Sequence, residues 1–206
     1  MHYSQALALL QHKMQFLVKE ASSMYGNHLY PKFYKPLLEL TDLTHYKRRR
    51  RIRPFVVVGS GMFSVVVRHP DVKGVLFKIH GDDGYDEYIK YCKSNYSPVH
   101  INVFDSVECG TLWTELTSEK IHIKVIEELE VLHETPENVN MLHNIKLFEE
   151  DQEYSIMNIP DLVLEHLHSM RNLSVSKSLR LDIWHNLMQR KNGDVVSIDP
   201  VVYSFL

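Results

Sequence analysis

The sequence reads RLDIWHNLM over residues 180–188 and, after a turn, VVSIDP over residues 195–200. Each segment combines apolar residues, which suit short strands, with polar groups at a strand end. Asp182 and Asn186 stand in the first segment, and Asp199 closes the second. The intervening KNGD sequence predicts a hairpin turn. A polar turn with a strand that ends in Asp-Pro is the structural alternative to a functional site.

The segment GSGMFSVV at residues 59–66 joins two predicted strands. Its glycines therefore lie in a hairpin, whereas the glycines of Rossmann and Walker motifs open a helix. Glycines in such a turn let backbone amides approach phosphate oxygens without an intervening side chain. Gly59, Ser60, Gly61 and Ser64 are the resulting candidates for nucleotide contact, with a plain hairpin turn as the alternative.

One lysine, Lys78, interrupts the apolar strand GVLFKI at residues 74–79. A lone lysine on a strand usually marks its solvent face. Here the preceding hairpin would fold it beneath the glycine segment, where an ammonium group can hold phosphates. The pairing carboxylate should lie on the following predicted helix. Glu87 is the candidate, and Asp86 and Asp83 are alternatives.

In chain order, the three segments are the glycine segment, the strand with Lys78 and the acidic segment. They resemble the glycine loop of protein kinases, their lysine strand, and their catalytic loop with the metal-binding aspartate. The resemblance implies phosphoryl transfer from ATP, with Mg²⁺ as the metal cofactor. It implies that Lys78 binds the α- and β-phosphates and that Asp182 orients the attacking hydroxyl and accepts its proton. Asn186 and Asp199 would ligate the magnesium ion.

Two departures from the kinase pattern affect the expected activity and its regulation. Asp182 and Asn186 are separated by three residues, where the kinase pattern has four. This spacing leaves open a pseudokinase, or an inhibitor of a host protein, that binds a partner without catalysis. Leu181 replaces the arginine of many kinases, and Asp-Pro replaces Asp-Phe-Gly, so regulation through a phosphorylated activation loop is not expected.

A closer resemblance is to the early serine/threonine protein kinase of Autographiviridae bacteriophages, and it covers roughly residues 56–205. It implies a phage enzyme that acts in the host cytoplasm and phosphorylates host proteins, including transcription or RNA-processing machinery, during host takeover. The enzyme itself is a further candidate substrate. The resemblance is carried by GSGMFS (59–64), His69-Pro70, the lysine strand, NGD (192–194) and DPV (199–201).

The order of predicted elements indicates an α+β protein, with strands first and helices later. The resemblance adds a protein-kinase-like two-lobe fold with a β-rich N-lobe and a truncated, helical C-lobe. The predicted strands are 55–58, 64–68, 74–79, 101–107 and 120–127. Cys109-Gly110 is predicted to lie in a turn. The predicted helices are 3–24, 83–93, 136–149 and 161–170, followed by a hairpin over 187–202. A second short helix is expected near Pro36.

Three regions follow from this pattern. Residues 1–53 form a helical extension with a basic linker, 54–132 the N-lobe, and 133–206 a minimal C-lobe with the catalytic loop and the metal-binding hairpin. The basic run KRRRRIR, which begins at Lys47 and ends at Arg53, can contact a polyanion. A solvated linker is the alternative.

Composition excludes several classes of protein. The chain has 206 residues, of which 44% are hydrophobic and 24% charged, and its net charge is −3, as expected for a globular protein. No apolar run approaches the roughly 20 residues that cross a bilayer, so no membrane association is expected. Its two cysteines are too few for a disulfide framework, and its scattered histidines do not form a zinc motif.

Overall fold

The computed structural model describes residues 1–25, 53–60, 64–113 and 118–203. Helices and antiparallel sheets confirm the α+β class. The expected helix near Pro36, Gly61 and all of the basic run except Arg53 lie outside the described residues.

Four α-helices and ten strands occur in the described part of the chain. The helices are α1 (Tyr3–Tyr25), α2 (Asp83–Ser94), α3 (Pro136–Glu149) and α4 (Asp161–Lys177), and a short 3-10 helix lies at Ile156–Asn158. The strands are β1 (Val56–Ser60), β2 (Ser64–Arg68), β3 (Val75–His80), β4 (Val103–Trp113), β5 (Ser118–Glu127), β6 (Glu130–Val131), β7 (Leu179–Leu181), β8 (Leu187–Gln189), β9 (Val195–Ser197) and β10 (Val201–Tyr203).

The chain divides into two compact units, each assembled from two stretches. Unit 1 comprises Met1–Asp82 and Val103–Glu128, and unit 2 comprises Asp83–Asn102 and Leu129–Leu206. Unit 1 contains a five-stranded antiparallel sheet in the order β1-β2-β3-β5-β4. Unit 2 contains α2, α3, α4, a three-stranded sheet in the order β6-β8-β9, and the pair β7-β10.

Helix α1 covers one face of the sheet in unit 1. Its buried residues recur every three or four positions, which is the pattern of an amphipathic helix. The sheet presents alternate residues of each strand to this helix, because successive side chains of a strand point to opposite faces. The core contains Leu7, Leu10, Met14, Leu17 and Val18 from α1 and Val65, Val67, Phe77, Ile79, Ile121, Ile123 and Val125 from the sheet.

Strand β4 is longer than the sequence predicts, and the assignment of Cys109-Gly110 to a turn is wrong. The strand runs through both residues with a register shift between Glu108 and Gly110. Gly110 adopts φ +122°, a conformation that other residues rarely accept. Gly110 therefore lies in a β-bulge, and strand β4 continues beyond it.

The predicted hairpin over 187–202 is confirmed in its first part. Strands β8 and β9 pair, and the turn between them is closed by a hydrogen bond from Arg190 N to the Asp194 carbonyl (2.9 Å). Gly193 at φ +91° supplies the left-handed residue of this turn. The final part differs, because β10 pairs with β7 instead of continuing the hairpin.

Unit 2 buries two histidines against aromatic rings. The His100 and His166 rings lie 5.3 Å apart, centroid to centroid, and both contact the Tyr88 ring. Within the described part of the chain, neither ring nitrogen of His166 has a hydrogen-bond partner. Burial, followed by the neighbouring His100, lowers the pKa of His166 to about 3, and burial lowers that of His100. Both imidazoles are thus held neutral.

We expect unit 2 to lose stability as the pH falls below about 6.5, because the unfolded chain then binds protons that folded His166 excludes. The loss for one such group is about 1.4 kcal/mol per pH unit. Between pH 7 and pH 5.5, the unfolding free energy measured with urea should fall about 1 kcal/mol more in the wild type than in His166→Leu. The exposed His143→Leu change is the control, and an equal loss in all three proteins would contradict the expectation.

Candidate functional site

The acidic residues of the first motif lie on two adjacent loops of unit 2. Strand β7 pairs with β10, and β8 pairs with β9, so the connections 182–186 and 198–200 run side by side. Asp182 N donates to the Pro200 carbonyl, and Ile198 N donates to the Asn186 carbonyl, each at 2.9 Å. These backbone hydrogen bonds place Asp182 and Asn186 next to the loop that carries Asp199.

The Asp182 carboxylate is held within its own loop. His185 Nδ1 lies 2.9 Å from Asp182 Oδ1, and Asn186 Nδ2 donates to Asp182 Oδ2 at 3.1 Å and to the Asp182 carbonyl at 2.7 Å. The three-residue spacing therefore turns the amide of Asn186 back toward Asp182. Because the amide nitrogen serves as the donor, Oδ1 is the atom that Asn186 can offer to a cation.

Glu149, at the end of α3, supports this loop and was missed by the sequence analysis. Its Oε1 accepts hydrogen bonds from the backbone of Ile183 and of Trp184, the latter at 2.9 Å. Burial raises the pKa of Glu149, and the two backbone donors oppose that shift. No local pattern reveals this role, because 34 residues separate Glu149 from Ile183.

Helix α2 supports the Asp199 loop from within unit 2. The Tyr88 hydroxyl donates to the Ser197 carbonyl at 2.7 Å, two residues before Asp199. Tyr85 is fully buried on the same helix. Burial first, and the Asp199 carboxylate second, raise the pKa of Tyr85 well above its usual value, so its hydroxyl stays protonated beside that carboxylate.

Glu87, the candidate partner of Lys78, lies on α2 and forms ion pairs with two lysines of unit 2. Lys90 Nζ is 2.6 Å from its Oε1, and Lys177 Nζ is 3.0 Å from its Oε2. The hydrogen bond from Lys90, followed by that from Lys177, lowers the pKa of Glu87. A pair between Glu87 and Lys78 stays a prediction, as do the alternatives Asp83 and Asp86.

In unit 1, the glycine segment and Lys78 lie in one row across the sheet. The register pairs Gly59 with Val66, Val66 with Lys78, and Lys78 with Lys124. Gly59 and Ser60 end β1, Ser64 begins β2, and the two strands pair antiparallel, so Gly59 lies in a hairpin as the sequence predicts. Lys78 is 5% exposed, on the face opposite the one that α1 covers.

Two histidines flank this row. His80 pairs with Ser64 on one side and with His122 on the other, and the two imidazole rings stack with centroids 5.6 Å apart. Burial, then the positive charges of Lys78 and Lys124, lower the pKa of His80 to about 2. The imidazole of His80 is therefore neutral, and the positive charge of this face comes from the lysines.

The donor set of the acidic loops fits magnesium, which prefers oxygen ligands and is commonly held by one or two carboxylates together with substrate phosphates. The Asp199 carboxylate and the Asn186 Oδ1 atom supply oxygen atoms of this kind. Among the described residues, no group of three or more His, Cys, Asp or Glu side chains forms a metal-binding cluster.

Comparison with known proteins assigns no family. No protein-family model matches the chain, and no curated protein matches its sequence. None of the helices in the described ranges combines the length and the apolar character that a membrane span requires.

Proposed function

We propose that this chain is a bacteriophage serine/threonine protein kinase with a two-lobe fold that transfers the γ-phosphoryl group of MgATP to host proteins in the host cytoplasm. The observation that carries the proposal is the pair of adjacent loops in unit 2. Their mutual backbone hydrogen bonds hold Asp182 and Asn186 beside the loop of Asp199. These are the residue types that phosphoryl transfer requires.

The row across the sheet of unit 1 provides further support. It aligns Gly59 with Lys78 on the third strand, as expected if the hairpin covers phosphates that the lysine binds. Ser60 and Ser64 flank the turn of this hairpin, and their hydroxyls and backbone amides would face the same phosphates. Gly61 belongs to the same proposed loop.

The proposed chemistry assigns a separate task to each residue. Asp182 accepts the proton of a Ser or Thr hydroxyl while that oxygen forms a bond to the γ-phosphorus and the bond to the bridging oxygen of ADP breaks. His185, 2.9 Å away, orients the carboxylate. Asn186 Oδ1 and Asp199 would hold magnesium, which neutralises charge on the phosphate oxygens. Lys78 would bind the α- and β-phosphates.

A pseudokinase or host-protein inhibitor is the second candidate function. The specific observation in its favour is the short loop, in which the Asn186 amide binds back to Asp182. Such a protein would keep the fold and bind a partner without phosphoryl transfer.

Incubation with γ-labelled ATP, Mg²⁺ and a bacterial host lysate tests the proposal. We expect label on serine or threonine of host proteins or of the chain itself, detected by phosphoamino acid analysis. Nucleotide binding without any label would favour the pseudokinase. The absence of MgATP binding, measured by calorimetry, would overturn the kinase proposal.

A further inference from the structure

A histidine and an aspartate form a hydrogen-bonded pair in the loop 182–186 of unit 2. His185 Nδ1 lies 2.9 Å from Asp182 Oδ1. An ionised carboxylate accepts hydrogen bonds and cannot donate one, so Nδ1 carries the hydrogen of this bond. The lone pair of the neutral imidazole is then on Nε2, the other ring nitrogen. A histidine that a carboxylate holds in this tautomer can act as a nucleophile through Nε2.

The imidazole is the more exposed group of this pair. The His185 side chain is 56% exposed, and that of Asp182 is 26% exposed. The second carboxylate oxygen, Asp182 Oδ2, accepts a hydrogen bond from Asn186 Nδ2 at 3.1 Å. Asp182 is therefore held through both of its oxygens within the loop. The more accessible ring is that of His185, and its Nε2 is not the nitrogen bound to Asp182.

The loop also fixes the orientation of the imidazole. Asn186 N donates to the Ile183 carbonyl at 2.8 Å, which closes a tight turn around Trp184 and His185. The Trp184 ring lies against the imidazole, with ring centroids 3.4 Å apart. Glu149 Oε1 accepts a hydrogen bond from Trp184 N at 2.9 Å. A nucleophile that is oriented before its substrate binds loses less entropy in the reaction.

We propose that Asp182 and His185 act as a dyad in which Nε2 accepts the γ-phosphoryl group of MgATP, so that the chain phosphorylates itself on His185. The inference rests on the proposed kinase function and names an acceptor for it within the chain. The Nε2 lone pair forms the bond to the γ-phosphorus, and the bond from that phosphorus to the bridging oxygen breaks, so that ADP leaves with the electron pair. The hydrogen stays on Nδ1, where the Asp182 carboxylate stabilises the positive charge that the ring gains.

The product of this reaction differs chemically from a phosphorylated serine or threonine. Phosphohistidine contains a P–N bond, which is hydrolysed in acid and survives in alkali. The phosphate ester of serine or threonine survives in acid. Acid treatment therefore separates phosphorylation of His185 from phosphorylation of hydroxyl side chains in the same sample.

The test is incubation of the full-length protein with γ-labelled MgATP, followed by acid or alkaline treatment and mass spectrometry. We expect acid-labile label on His185 in the wild type. His185→Gln should lose this label entirely, and His143→Gln, which changes an exposed histidine of the same unit, should keep it. Thermal melting shows whether each variant is folded. If His185→Gln fails to fold, the position of the label in the wild type decides the question.

Potassium phosphoramidate is a second probe, because it transfers a phosphoryl group to histidine without a nucleotide site. We expect it to label His185 of the wild type at least about tenfold faster than exposed His143, since a hydrogen bond to a charged group supports the reacting ring. Asp182→Asn should remove most of this preference, because an amide lacks the charge of the carboxylate.

The outcomes separate this inference from the proposed function. Acid-stable label on serine or threonine, without label on His185, would leave the kinase proposal standing and overturn the inference. Equal labelling of His185 and His143 by phosphoramidate would also overturn it, because Asp182 would then not activate the ring. If MgATP labels nothing while phosphoramidate still prefers His185, the nucleophile is intact and the nucleotide site is at fault. The kinase proposal then fails, and self-phosphorylation from MgATP fails with it.

Discussion

Asp199→Ala is expected to lower phosphoryl transfer at least about a hundredfold while the protein stays folded. Phosphoryl transfer depends mainly on positioning and electrostatics, and the proposed magnesium site loses its carboxylate in this variant. The fold should tolerate the change, because the hydrogen bonds that hold this loop against residues 182–186 are made by backbone groups, which the substitution keeps. Asp182→Ala should show a loss of similar size, since it removes the proton acceptor.

The measurement is a single-turnover assay with labelled ATP, accompanied by thermal melting. Asp194→Ala is the matched control, because this exposed aspartate lies in the turn of the same hairpin, five residues before Asp199. Phosphoryl transfer at the wild-type rate by folded Asp199→Ala protein would contradict the kinase proposal. A comparable loss in Asp194→Ala would instead show that the hairpin is merely sensitive to substitution.

Glu149→Ala is expected to destabilise the protein by about 2–5 kcal/mol, since it leaves two partly buried backbone N–H groups without their acceptor. Those groups belong to Ile183 and Trp184, which form the loop between Asp182 and Asn186. Phosphoryl transfer should therefore fall together with stability. Glu149→Gln keeps an acceptor oxygen and should recover a large part of both losses.

Urea unfolding measures the free energy of unfolding of each variant, and the neighbouring Glu150→Ala change is the control. Glu150 is exposed, and its carboxylate lies 3.9 Å from Lys146 Nζ, so its removal should change the free energy of unfolding by about 0.5 kcal/mol or less. If Glu149→Ala and Glu150→Ala lower the free energy of unfolding equally, the loop does not depend on the Glu149 carboxylate.

Helix α3 shows which parts of the fold local sequence determines. Its predicted and observed bounds agree, because both signals at its start are local. Thr135 Oγ1 accepts a hydrogen bond from Asn138 N at 3.2 Å, and Pro136 occupies the first turn. Helix α4 instead continues from the predicted end at Met170 to Lys177. Arg171 packs its guanidinium over the Phe148 ring at 3.7 Å, a contact between distant residues that no helix-end signal encodes.

The candidate site likewise contains residues that local sequence reveals and residues that it does not. Asp182, Asn186, Asp199 and Lys78 could be named from the sequence because their spacing follows a known chemical pattern. Glu149 could not, since the backbone N–H groups that it binds belong to Ile183 and Trp184, 34 and 35 residues further along the chain.

Because each unit is assembled from two separate stretches, the backbone passes from one unit to the other three times, at residues 82–83, 102–103 and 128–129. No single cut can therefore release either unit as a continuous fragment. A fragment that ends at Glu128 would carry helix α2 without the Ser197 carbonyl that the Tyr88 hydroxyl binds. Expressed alone, it would expose the buried face of that helix, and the complementary fragment would lack the support of its hairpin. Split versions of this protein should consequently fold only when both pieces are produced together and reassociate.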